Sequence, residues 1–142
     1  MQLAVLVQQL VASDVSAVVF SANPITGSRD EIVINASWGL GESIVGGTVT
    51  PDTFIVRKSD LAVRERVIAD KQRMSVSAPR GTREMDVPRF LRKEACLNDE
   101  HVVEIAKLAR TLEGTMKHPV DVEAAYAGGE LYLLQCRPIT TL

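Results

Sequence analysis

NDEHVVEIAKLARTLEGTMKHPVDVEAAYAGGELYLLQCR, residues 98–137, decides the fold. Val102, Val103, Ile105, Ala106, Ala109 and Leu112 recur at helical spacing, so the stretch from about Asp99 to Glu113 reads as a helix with one apolar stripe. Asn98 suits the N-cap, Asp99 and Glu100 suit the positive end of the helix dipole, and Gly114 suits the stop. Beyond it, Val120–Tyr126 and Leu131–Cys136 read as two strands joined around Ala127-Gly128-Gly129-Glu130. An amphipathic helix followed by a hairpin implies a helix packed on a sheet.

Working outward, the same pattern continues. Leu3–Val7 and Val15–Phe20 are short apolar runs of strand length, and Ala12-Ser13-Asp14 between them reads as the turn of a hairpin. Asn23-Pro24, Gly27 and Ser28 make a loop before a third strand at Ile32-Val33-Ile34. Trp38 is followed by Gly39-Leu40-Gly41-Glu42-Ser43-Ile44-Val45-Gly46-Gly47, whose glycines would allow a tight turn into and out of about two helical turns. Phe54–Val56 and Ala62–Ile68 read as strands joined by a turn at Lys58-Ser59-Asp60. The charged stretch from Lys71 to Lys93 is expected to be loop, with at most one short helix near Val87–Arg92. The fold class is therefore α/β, a mixed and mainly antiparallel sheet with the Asp99–Glu113 helix on one face.

Composition agrees with one folded unit. The chain has 142 residues, 46% hydrophobic and 24% charged, enough for one sizeable core and far from disorder. Sixteen basic against 18 acidic side chains give a formal charge of −2, which offers no global positive field for nucleic acid or an anionic membrane. Neither is expected as a partner. Cys96 and Cys136 lack the number of a disulfide framework and the spacing of a zinc set, so a cytoplasmic location is expected. No Ser/His/Asp triad can be assembled, and His101 and His118 have no partners at metal-binding spacing.

The chemistry concentrates in the last hairpin. Alternate residues on a strand share a face, so Asp121 lies with Glu123, and Gln135 with Arg137. A three-residue loop Gly128-Gly129-Glu130 would set Glu123 opposite Gln135 on one face, whereas a two-residue loop Gly128-Gly129 would send them to opposite faces. Side by side, a carboxylate and a carboxamide oxygen are hard donors of the kind Mg²⁺ takes together with phosphate oxygens. Arg137 would add a fixed positive charge for phosphate. Spacing alone leaves two readings open, a solvated sheet face and a metal site. The turn Gly39-x-Gly41-Glu42 could bring backbone N–H groups to a phosphate, but it lacks a Walker-type Lys and by itself reads as a packing turn more readily than as a phosphate loop.

Four segments, in order, resemble the ATP-grasp nucleotide-binding region of phosphoenolpyruvate synthases, pyruvate phosphate dikinases and rifampin phosphotransferases. They are Val7-Gln8 with Val15–Gly27; Ile34–Glu42, which contains Trp-Gly-Leu-Gly-Glu; Val49-Thr50-Pro51-Asp52; and Asp121-Val122-Glu123 with Leu134-Gln135-Cys136-Arg137-Pro138-Ile139-Thr140-Thr141-Leu142. The resemblance covers essentially the whole chain. It implies that Glu123 and Gln135 bind the Mg²⁺ that bridges the phosphates of ATP, and that Arg137 contacts those phosphates and acts as the catalytic residue. Gln8 would line the nucleotide pocket and Glu42 would make a polar contact near the phosphates. Ala17 and Ala124 depart from a glycine and an aromatic common in the family, and neither departure removes a ligand.

In such enzymes ATP phosphorylates a histidine on a separate swivelling domain, which passes the phosphoryl group to pyruvate or, in the antibiotic-modifying branch, to rifampin. The chain is accordingly expected to be the C-terminal part of an ATP-grasp domain, residues 1–142, without the N-terminal lobe, the phosphohistidine domain or the acceptor domain, and inactive by itself. The synthase-like reading is preferred over the rifampin one. A third reading, from another class, is a non-catalytic module that self-associates into a homo-oligomer through an exposed edge.

Overall fold

The computed structural model describes residues 2–142. Its elements are β1 (Val15–Phe20), β2 (Glu31–Trp38), α1 (Glu42–Val45), β3 (Asp52–Arg57), β4 (Val63–Val67), β5 (Arg73–Ala78), β6 (Gly81–Asp86), a 3₁₀ turn (Arg89–Leu91), α2 (Asp99–Met116), β7 (Val120–Ala127) and β8 (Glu130–Pro138). Six strands form one sheet in the order β4-β3-β2-β1-β7-β8, every pair antiparallel, and β5 and β6 form a separate two-stranded hairpin. This is the α/β class expected from the sequence, with a mainly antiparallel sheet.

The period of two explains the two faces of the sheet. Val15, Ala17 and Val19 of β1 point to one side with Ile32 and Ile34 of β2 and Phe54 and Val56 of β3, and α2 seals that side with Val102, Ile105, Ala106 and Ala109. Each large side chain so enclosed stabilises the fold by about 1.5–3 kcal/mol. Asn98 caps α2, its side chain accepting the His101 N–H at 2.8 Å. Gly114 does not end the helix. It runs to Met116 and stops at Lys117, which takes the left-handed conformation (φ 56°) two residues before Pro119, where proline restrains the residue ahead of it.

Three further expectations need correction. Leu3–Val7 is not a strand and forms no hairpin with β1; Leu3 and Val7 are 87% and 91% exposed. Both edges of β1 are already taken, by β2 and β7, so the first segment has no place beside it. The glycine-rich turn holds a single helical turn, α1, in place of two. Lys71–Lys93 is not mainly loop, because β5 and β6 occupy most of it.

That hairpin stands off the main sheet and docks through a few specific contacts. Gly39 bridges to Ser75, the Leu40 N–H donates to the Ser75 carbonyl at 2.8 Å, and the Ser43 hydroxyl donates to that of Ser75 at 3.0 Å. Gly39 sits at φ +79°, and a Cβ there would meet the Ser75 carbonyl oxygen at 2.2 Å, so the close approach requires glycine. A buried clasp anchors the base of the hairpin: Lys71 Nζ donates to Asp52 Oδ1 at 2.7 Å and to the Ala69 carbonyl at 3.0 Å. The Asp52 carboxylate also accepts the N–H groups of Ala69 (2.9 Å) and Cys96 (3.0 Å). Asp52 of the Thr-Pro-Asp segment thus joins β3, the approach to β5 and the approach to α2 at one buried point.

Candidate functional site

The face of the sheet away from α2 is polar along one row. Registers place Thr53, Asn35, Val18, Glu123 and Gln135 side by side across β3, β2, β1, β7 and β8. One step along, Phe20, Asp121 and Arg137 are aligned on β1, β7 and β8. Alternation directs every one of these side chains away from the apolar core.

The last hairpin resolves the choice that spacing left open, by a route neither alternative contained. Ala127 pairs with Glu130, so the loop is the two residues Gly128 (φ 58°) and Gly129 (φ 81°), both left-handed as a tight hairpin turn requires. That loop would set Glu123 opposite Leu134. The register shifts between Glu123 and Ala124, however, leaving Leu134 as an extra residue and pairing Glu123 with Gln135 and Asp121 with Arg137. A β-bulge therefore re-aims the strand and puts the carboxylate and the carboxamide on the same face.

Two adjoining cavities share Glu123. The larger, about 400 Å³, is lined by Gln8, Glu42 and Glu123 among apolar groups such as Leu40, Val45 and Leu134. Its size is that of a small-molecule site. The smaller, about 260 Å³, holds Asn35, Asp121, Glu123 and Arg137. The structure thus brings Gln8, Glu42, Glu123 and Arg137 to one face, and Gln135 beside them by register. Arg137 is 64% exposed at its side chain, and its Nε donates to Asp121 Oδ2 at 3.1 Å, so Asp121 orients the guanidinium from below.

Sequence reasoning missed two residues here, Asn35 and Thr82, and the role of a third, Asp121. Asn35 interrupts the apolar strand Ile32–Ala36 and accepts the Thr53 hydroxyl at 3.0 Å; that interruption was the available signal. Asp121 was visible as a neighbour of Glu123, but its hold on Arg137 depends on the bulged register. Thr82 reaches the larger cavity from β6 and gave no signal, because the hairpin that carries it has no marked alternation of its own.

The donor set fits Mg²⁺. Glu123 is half-buried, and among the described residues its carboxylate has no side-chain ion pair, while Gln135 presents a carboxamide beside it. Hard oxygens of this kind, few in number, suit a cation that completes its shell with water and phosphate. Among the described residues no three of His, Cys, Asp and Glu converge, so the protein offers an open, partial set and no closed cage. Cys136, opposite Val122, packs toward the core side; burial and then the Asp121 carboxylate raise its thiol pKa, which disfavours the thiolate.

A cavity of small-molecule size thus lies beside a partial set of oxygen donors, and comparison with known proteins places the chain in a family. The chain belongs to the family described as pyruvate phosphate dikinase, AMP/ATP-binding domain, whose model matches residues 1–142. It is 46% identical over 99% of its length to the phosphoenolpyruvate synthase of Pyrococcus furiosus, of which it covers 18%. Bacillus subtilis YvkC, described as an uncharacterized phosphotransferase, is 44% identical over 97% of the chain and is covered to 16%. The rifampicin phosphotransferase of Streptomyces sviceus is 35% identical over 99% of the chain and is also covered to 16%. The chain therefore spans less than a fifth of the length of these relatives. No helix among the described residues is long and apolar enough to cross a membrane.

Proposed function

We propose that this chain is the ATP- and Mg²⁺-binding portion of a phosphoenolpyruvate synthase-like phosphotransferase, the C-terminal part of an ATP-grasp domain. In the longer protein, ATP would phosphorylate a histidine on a swivelling domain for transfer to pyruvate. Membership of an AMP/ATP-binding family supports the nucleotide. The observation that carries the rest is the bulged register that sets Glu123 beside Gln135, next to Arg137.

Glu123 and Gln135 would hold the Mg²⁺, which when bound neutralises phosphate charge and fixes the phosphates in place. Arg137, oriented by Asp121, would contact the phosphates. Gln8 and Glu42 would line the nucleotide cavity, with Leu40, Val45 and Leu134 supplying apolar surface for the base. No nucleophile is required of this face, since phosphoryl transfer depends on positioning and charge neutralisation. The 35% identity to a rifampicin phosphotransferase keeps rifampin as the alternative acceptor, a matter for the parts of the longer protein that bind it.

Calorimetric titration of Mg-ATP into the chain, with Glu123→Ala and Gln135→Ala alongside, tests the assignment. Magnesium-dependent heat that either substitution weakens at least about tenfold is expected. Binding that both variants retain would refute the metal assignment. A chain silent toward Mg-ATP both alone and with the upstream lobe of a relative added in trans would refute the nucleotide site.

A further inference from the structure

At the far end of α2 four chain segments converge on a cleft of about 520 Å³ that shares no residue with the nucleotide cavities. The loop before β2 contributes Arg29, the β3–β4 turn Lys58, the last turns of α2 Arg110 and Glu113, and the link to β7 Lys117 and His118. Four cationic side chains face one carboxylate, so 4 − 1 leaves +3 with His118 neutral. The whole chain carries −2, and this cleft concentrates the opposite sign.

The partners within the cleft consume little of that charge. Glu113 accepts from Lys58 Nζ at 3.1 Å and from the Ser21 hydroxyl at 3.0 Å, which fixes the floor. Among the described residues Arg110 donates only to neutral carbonyls, through Nη1 to those of Lys58 (3.0 Å) and Ser59 (3.4 Å), so its position is set without its charge being neutralised. Arg29 and Lys117 are exposed on the rim, and among the described residues the cleft's one ion pair is Lys58–Glu113. His118, which lines the cleft, directs Nδ1 to the Pro119 carbonyl at 3.0 Å. The C-terminal carbonyls of α2 contribute about half a negative charge, which lowers the +3 without cancelling it.

We propose that this cleft is a second anion site, which takes a phosphate group, either free inorganic phosphate or the phosphate of a small phosphomonoester. A guanidinium held in place by carbonyls, with its remaining N–H groups free, matches the geometry of a phosphate face. Positive charge from four separate segments also means that an anion bound here ties the loop before β2 to the end of α2, and so reinforces the end of the sheet from which Phe20, Asp121 and Arg137 project.

The test is an amide NMR titration of the intact chain with inorganic phosphate, and separately with glucose 6-phosphate, at constant ionic strength. Saturable shifts at Arg29, Gly114, Lys117 and His118 are expected, and about tenfold weaker binding in the Arg29→Ala, Lys117→Asn double variant. Asparagine keeps the left-handed conformation at 117, and both positions are exposed, so an unchanged far-UV spectrum verifies the fold. Saturation by one probe only identifies the source of the phosphate. Shifts that never saturate, that sodium chloride reproduces, or that survive the double variant would overturn the proposal.

Discussion

Replacing Lys71 by methionine is the sharpest perturbation of the scaffold under the candidate site. Lys71 and Asp52 are both fully buried, 0% exposed at their side chains, with Nζ 2.7 Å from Oδ1. Methionine fills much of the same volume but removes the only cation paired with the Asp52 carboxylate among the described residues, leaving it the N–H groups of Ala69 and Cys96. Breaking a buried pair by removing one partner costs about 3–5 kcal/mol, because a buried charge is left uncompensated. Against a total stability of about 5–15 kcal/mol that is a large fraction. At about 2–4 °C per kcal/mol, Tm falls by about 6–20 °C.

The assay is urea and thermal unfolding of wild type, Lys71→Met, and the double variant Asp52→Asn, Lys71→Met. The double variant removes both charges but leaves one amide oxygen for two N–H donors, so its expected loss is smaller, about 1–3 kcal/mol. Because the clasp anchors the β5–β6 hairpin, exchange of the Leu40 amide hydrogen, bonded to Ser75, is expected to quicken in Lys71→Met. A single variant within about 1 kcal/mol of wild type would refute the reasoning. So would a double variant no more stable than the single one, since the loss would then owe nothing to the stranded charge.

Gly39→Ala would place a Cβ 2.2 Å from the Ser75 carbonyl oxygen, and urea unfolding is expected to show a loss of about 2–4 kcal/mol with the hairpin displaced. The Cys96 thiol is pushed up first by burial and then by the Asp52 carboxylate, so a thiol reagent at mildly alkaline pH is expected to label it only as fast as the chain opens. On the surface, the Arg57 guanidinium bonds Asp60 at 2.8 and 2.6 Å and, with the Ala62 N–H, holds its carboxyl down at about 2. Depressed in the folded state, this group favours folding above its unfolded value of 3.8 and loses that contribution as pH falls toward 2. An NMR titration of the Asp60 carboxyl is expected to show the low midpoint, and Arg57→Gln to return it toward 3.8.

The sequence by itself determined the parts of this protein whose signal is local. The stripe of Val102, Ile105, Ala106 and Ala109 has helical period, and burial of those four side chains against the sheet follows from it. Val15–Phe20 and Val120–Tyr126 have strand period and β-branched content, and both are strands in the centre of the sheet. The motif segments likewise pointed to one nucleotide-binding family before any geometry was known, because they are read residue by residue. Apolar content without a partner was misleading: Leu3–Val7 reads as a strand, yet β1 is paired on both sides and the segment is exposed. The reverse holds for β5 and β6, whose polar, weakly alternating sequences form a hairpin because Gly39, Ser43 and Asp52, 19 or more residues from their partners in the chain, dock it.

The candidate site belongs to the second kind. Glu123, Gln135 and Arg137 were visible as residues, but two loop lengths gave opposite faces, and spacing could not choose between them. The tertiary structure chose the two-residue loop and then reversed its consequence by bulging out Leu134. Strand pairing is a long-range property, set by what β1 and β7 must bury together and not by the period within either strand. One extra residue in β8 therefore decides whether the carboxylate and the carboxamide meet, and only the folded sheet shows it.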